Sequence, residues 1–219
     1  MAKIVEVKGD HQFVEIYTEI KSDIESTLKA FREVWEKSGN NEMFSELAFC
    51  LFTPQSKAKS CWAAVEMLVG NNLILKGSPE QIAAKINTVR FRNNKAGYLV
   101  EARQRFIDNN VSIKETLKAQ DTPEKMREWL HRNIKGMGMK EATHFLRNIG
   151  FGEDLAILDR HILRNLAAAK VIPEIPKSIP TKKYIAIENS MRDYAHSLGM
   201  PLAHLDIVMW YKETGEIFK

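Results

Sequence analysis

Phe13, Ile16, Tyr17, Ile20, Ile24, Leu28, Phe31 and Trp35 recur at steps of three and four residues. That spacing returns each side chain to one side of a helix, whereas a strand, with its period of two, would scatter them over both faces. One long or broken helix with a single apolar stripe follows. "KSGNNE" interrupts it, and Phe44, Leu47, Ala48 and Leu51 begin a second stripe. After "FTPQSKAKS", which contains Pro54, the pattern resumes at Trp62, Val65 and Val69. The alternating "KIVEVK" near the start is short and alone, and an isolated strand is not stable. The chain therefore reads as all-α.

Helix starts are marked. In "GSPEQ", Ser78 is an N-cap followed by Pro79, and Gln81 stands three residues on, a capping-box arrangement. "DTPEKMREWL" offers Thr122 as a cap before Pro123 and Glu124. "VIPEIPKSIPTKKY" carries three prolines and reads as the clearest long loop and a lobe boundary. No internal repeat or low-complexity tract is present.

The 219 residues suffice to bury a core, in one compact domain or two small lobes. No apolar run approaches the roughly 20 residues that span a bilayer, and "MAKIVEVKGDHQF" lacks the apolar stretch of a secretory signal. A cytoplasmic protein is expected, with no membrane partner. Two cysteines, Cys50 and Cys61, exclude a four-cysteine iron–sulfur cluster and argue against a disulfide framework. Cys50, in the apolar "ELAFCLF", reads as a buried small hydrophobe. The net charge of +4 favours a polyanion only weakly.

The chemistry concentrates in "IKGMGMKEATHFLRNIGFGEDLAILDRHIL", residues 134–163. "EKMREWLHRN" reads as a helix, "IKGMGMK" as a turn, and "KEATHFLRNIG" as a second helix stopped by Gly150. Gly136 and Gly138 can adopt backbone angles closed to other residues and allow close approach of another molecule. The unpaired N–H groups opening the second helix form an anion site suited to a nucleic-acid phosphate. By itself the hairpin serves equally as an ordinary helix–helix turn. Lys140 follows the glycines at once, and Asp159 precedes the helical "RHILRNLAAA" as an N-cap. A lysine there has a reading as an amine nucleophile. On spacing alone, a solvated lysine and a capping aspartate account for the pair as well.

"IKGMGMKEA…LAILDRHIL" resembles the helix-hairpin-helix and Gly/Pro/Asp signature of the DNA glycosylase superfamily. More narrowly it resembles the type-2 8-oxoguanine DNA glycosylases/AP lyases, common in archaea and some bacteria. "FSELAFCLFTPQSKA" is similar to that branch's early helix pair and "LDIVMWYKETGEIFK" to its C-terminus, so the likeness covers nearly the whole chain. The residue before Gly136 is often proline in the superfamily and is Lys135 here, which adds a candidate phosphate contact.

The resemblance implies a single unit over residues 1–219, two-lobed, with a cleft between lobes. The lobes are expected at 1–40 plus 171–219 and at 41–170, the second carrying the hairpin at 134–140. It implies a monomer acting on double-stranded DNA that contains 8-oxoguanine or abasic sites, with no cofactor and no metal. The damaged nucleotide must rotate out of the duplex. The neutral amine of Lys140 would attack C1′, displace the base and leave a Schiff base, and β-elimination would cut the strand 3′ to the lesion. Asp159 would stabilise positive charge on the sugar and assist proton transfers. Gly136, Gly138, Lys135 and His161 would hold the backbone, and Gln55 would fill the gap left by the extruded base.

Trp210 would stack on the flipped purine, with Asp206 four residues earlier on the same helix face. Lys219 would tell 8-oxoguanine from guanine, because the lesion carries N7–H, a donor, where guanine carries an acceptor. Outside the resemblance, His161 and Trp210 also fit simple packing, Gln55 an exposed loop, and Arg90, Arg92 and Lys95 a solvated face. Two alternatives stand beside the main reading: an oxidised-pyrimidine glycosylase/lyase of the same fold, and a non-catalytic module that binds DNA backbone. The absent cluster cysteines and Lys219 disfavour the first; Lys140 with Asp159 disfavours the second.

Overall fold

The computed structural model describes residues 8–219. Among these residues there are twelve α-helices and no strand. Of "KIVEVK" only Lys8, the first residue of α1, lies among the described residues. The helices are α1 (Lys8–Lys37), α2 (Asn40–Phe52), α3 (Ala58–Gly70), α4 (Leu73–Lys76), α5 (Pro79–Lys85) and α6 (Arg92–Arg103). A π-helical turn (Gln104–Asp108) continues α6. Then come α7 (Ile113–Lys118), α8 (Pro123–Asn133), α9 (Met139–Asn148), α10 (Arg160–Ala168), α11 (Thr181–Ser197) and α12 (Leu202–Thr214). None of them is long and apolar enough to cross a membrane.

The first stripe forms one unbroken helix of 30 residues. Phe13, Ile20, Ile24, Leu28 and Phe31 are its buried positions. Both expected caps are in place. Ser78 and Gln81 make a reciprocal capping box at α5, and the Thr122 side chain accepts from the Lys125 N–H at α8.

The chain divides into two compact units, Met1–Ala30 with Gly152–Phe218, and Phe31–Phe151 with Lys219. It leaves the first unit inside α1 and re-enters it after Phe151. The proline-rich stretch, read as a lobe boundary, lies within the first unit. Prolines bar a helix there, but the segment remains packed: Ile172 is buried and the Val171 N–H donates to the Leu166 carbonyl.

In the unit around Phe31–Phe151, α2 is central. Every residue from Leu47 to Phe52 is buried, and α3, α6, α7 and α9 pack on it. A helix covered on so many sides is apolar nearly all round, and the acid Glu46 stands out within it. In the other unit α12 packs on α10 and α11, and Leu202, Leu205, Val208 and Met209 form its buried face.

Candidate active site

The glycine hairpin is built as the spacing implies. α8 ends at Asn133, the Met137 N–H donates to the Ile134 carbonyl at 3.1 Å, and α9 starts after Gly138. Gly136 has φ +84, in the left-handed region where a Cβ is penalised. It also lies close to Tyr98, and a Cβ there would stand 2.2 Å from the ring. Gly138 is the N-cap of α9 and offers no side-chain cap. An open hollow of about 520 Å³ covers this turn, lined by Glu101, His131, Lys135, Gly136 and Gly138. Lys135 extends beside it, with Nζ 3.2 Å from Glu101, an exposed pair that a phosphate can displace at little energetic cost.

Lys140 is the second residue of α9, at the positive end of the helix dipole. Its side chain is 23% exposed. Nζ donates to Thr53 Oγ1 at 3.4 Å and lies 3.8 Å from Glu141 Oε1. Thr53 itself donates to the Cys50 carbonyl at the end of α2. Gln55, two residues on, is exposed and holds φ +55, which swings it out of the path of the chain. Cys50 is fully buried, and that burial raises its thiol well above the ordinary value.

Beneath α9 a polar cluster receives the last residue. The Lys219 ammonium pairs with Glu46 and sits 3.5 Å over the Trp62 ring. Glu46 also accepts from Asn148 Nδ2 at 3.2 Å. His144 is buried beside them against Phe49. Burial pushes its imidazole well below the ordinary range, and the charges of Arg147 and Lys140 lower it further.

Asp159 is the N-cap of α10, and its Oδ1 accepts from the Ile162 N–H at 2.9 Å. The segment before it has no helix or ladder, yet Leu155–Leu158 is buried. Buried backbone N–H groups must find partners, and here side chains supply them. Glu188 accepts from Ala156 at 2.8 Å, Asp206 from Ile157 at 2.7 Å, and Tyr184 from Leu158 at 3.3 Å. The Tyr184 hydroxyl in turn donates to the Ala156 carbonyl. Asp206, expected beside a base, is thus buried with its carboxylate turned to the backbone leading into Asp159.

Trp210, four residues on in α12, is half-buried, and its indole N–H is shielded from solvent with no hydrogen-bond partner. His161 meets its ring edge-on at 5.2 Å. His161 Nδ1 lies 3.3 Å from Glu213 and 2.8 Å from Arg164, so this histidine belongs to a charged cluster at the head of α10.

Lys95 corrects the reading of "VRFRNNKAGY" as a solvated face. Arg90 and Arg92 are exposed, but Lys95 is 3% exposed. It lies on the inward side of α6, where its ammonium finds three acceptors. Sequence reasoning also passed over Glu46, Trp62, Tyr184 and Glu188. For Glu46 the signal was available: one acid inside the apolar run "FSELAFCLF" demands a buried cation or donor. Among the described residues no cluster of His, Cys, Asp and Glu is able to hold a metal ion.

One unit carries an amine at a helix N-terminus directly after an uncapped glycine hairpin; the other carries a carboxylate at a helix N-terminus and a half-buried indole. Residues 24–200 match the model of the 8-oxoguanine DNA glycosylase family with its helix-hairpin-helix. The 8-oxoguanine DNA glycosylase/AP lyase of Fusobacterium nucleatum is 46% identical over 210 residues, 95% of this chain and 97% of that protein. The Methanocaldococcus jannaschii enzyme of the same name is 38% identical, over 92% of this chain and 94% of its own. The crystal structure of the M. jannaschii 8-oxoguanine glycosylase/lyase, in complex with a 15mer DNA containing 8-oxoguanine, superposes with a TM-score of 0.87 at 36% identity, covering 96% of this chain and 99% of that one. The Thermotoga maritima 8-oxoguanine DNA glycosylase superposes at 0.86 with 32% identity, over 96% and 98%. With a matching family model over most of its length, this chain belongs to the 8-oxoguanine DNA glycosylase family.

Proposed function

We propose that the protein excises 8-oxoguanine from duplex DNA and then cleaves the strand 3′ to the abasic site. The observation that carries this reading is Lys140. A partly buried amine at the opening of α9, directly after an uncapped glycine hairpin, is placed to meet a deoxyribose whose phosphates the hairpin holds. The hairpin N–H groups near Gly136 and Gly138, with Lys135 and His161, take the DNA backbone. The neutral amine of Lys140 attacks C1′ as the glycosidic bond breaks, and the electron pair of that bond leaves with the base. Ring opening yields a Schiff base. Loss of a C2′ proton then expels the 3′ phosphate. Asp159 stabilises the positive charge that develops on the sugar. Gln55 fills the gap in the stack, and the half-buried ring of Trp210 covers the extruded purine. A Lys219 main-chain oxygen accepts the N7–H that distinguishes the lesion. Asp206 acts on the chain before Asp159 and not on the base. Such an enzyme works as a monomer at the nucleoid, where its substrate lies.

Borohydride trapping tests the reading. With 8-oxoguanine duplex the wild type forms a reduced covalent adduct, and Lys140→Gln forms none. An adduct formed only on thymine-glycol duplex transfers the activity to oxidised pyrimidines. Binding without an adduct on either duplex rejects a lyase.

A further inference from the structure

The three donors of the buried Lys95 ammonium have three acceptors. Nζ lies 2.7 Å from the Phe52 carbonyl, 2.6 Å from the Pro54 carbonyl and 3.2 Å from Ser56 Oγ. No N–H remains for a phosphate. The three acceptors belong to one turn, the exit from α2, which carries Thr53 and Gln55. Ser56 Oγ also accepts from the Arg90 N–H at 3.0 Å, so the same ammonium joins this turn to the loop before α6. In both loops a non-glycine residue holds a left-handed conformation, Gln55 at φ +55 and Phe91 at φ +57. Such residues persist only where the surroundings over-determine them. A buried charge with every donor used is a strong local determinant.

We propose that Lys95 is a positioning residue for duplex engagement: its ammonium clamps the Phe52–Ser56 turn and so sets Gln55 against the base stack. This rests on the reading of Gln55 as the residue that fills the gap. The charged and titratable groups facing Lys95 are Cys61, Glu141, Lys140 and Arg90. Burial lowers its own value to about 8, so the clamp sheds a proton in a range that an assay can reach. Cys61 is pushed up to about 11, chiefly by burial, and stays a neutral thiol there. A neutral amine has two donors for the three acceptors, and the turn loosens.

The test uses 2-aminopurine beside a 2′-fluoro-8-oxoguanine nucleotide, which is bound but not cut, so fluorescence reports extrusion alone. Lys95→Met, similar in length and without charge, is expected to lower the extrusion signal and 8-oxoguanine excision about tenfold or more, the effect of losing a charged hydrogen-bond set. Borohydride trapping on a single-stranded abasic site, which needs no extrusion, is expected to change far less. In wild type the signal falls as pH rises through about 8, and in Lys95→Met this step is absent. Wild-type extrusion by Lys95→Met, or equal losses on both substrates, overturns the proposal. Should Lys95→Met not fold, the wild-type profile decides: a step supports the clamp and a flat signal overturns it. Gln55→Ala separates the two readings. Normal extrusion by Gln55→Ala with failure of Lys95→Met removes Gln55 from its assigned role and leaves the clamp, and the reverse pattern removes the clamp alone.

Discussion

Gly136 packs so close to Tyr98 that a Cβ would stand 2.2 Å from Cδ2 of the ring. The hairpin turn is thereby locked to α6 by contact as well as by its φ of +84. Gly136→Ala meets both obstacles. The backbone alone costs on the order of 1–3 kcal/mol, and the ring contact adds to it. A lowered Tm and weakened binding to undamaged duplex are expected. Adding Tyr98→Ala should recover only the steric part, and full recovery would show that the backbone conformation carries no cost.

Asp159 caps α10, and substitution separates that duty from the catalytic one proposed for it. Asparagine caps a helix about as well as aspartate, whereas alanine costs about 1 kcal/mol. Asp159→Asn should therefore melt near wild type yet lose most excision activity, and Asp159→Ala should lose both. Measured side by side, full activity in Asp159→Asn would reduce the residue to a cap.

Glu46 holds the side chain of Lys219 from within the core. Deleting Lys219 should reduce the preference for 8-oxoguanine over guanine about tenfold, the worth of one lost acceptor, while abasic-site cleavage falls less. Glu46→Gln keeps the shape and removes the charge. It should shift the same ratio in the same direction. Equal loss of excision and cleavage in both variants would point to a role in folding alone.

Stability should depend on pH through His144. Its folded value is held below the ordinary one, first by burial. The unfolded chain thus binds a proton that the folded chain refuses. Stability is full above about pH 6.5, the ordinary histidine value, and is lost as pH falls below it. The slope approaches about 1.4 kcal/mol per pH unit. Urea unfolding between pH 7 and 5 should show this slope, and His144→Phe should flatten it.

The helical character, both capping sites, the hairpin and the N-cap at Asp159 were legible from local pattern, because each depends on residues within one or two turns of one another. Family likeness added the roles proposed for Lys140, Gln55, Trp210 and Lys219. Long-range pairing was not legible. Lys95 and Arg92 look alike in "RFRNNKAGY", and only the packing of α6 on α2 sends one inward. Asp206 looks like a neighbour of Trp210, and only the docking of α12 turns it to the Ile157 N–H.

By itself the sequence determined where helices begin and that the chain turns at Gly136 and Gly138. Backbone preference and hydrophobic period act over a few residues, so they survive in the linear order. Tertiary structure alone decided which charges are buried and what satisfies them: Glu46 with Lys219, Lys95 with the Phe52–Ser56 turn, and three side chains with the backbone before Asp159. A buried polar group must find a partner, and that partner is set by which helices meet in space.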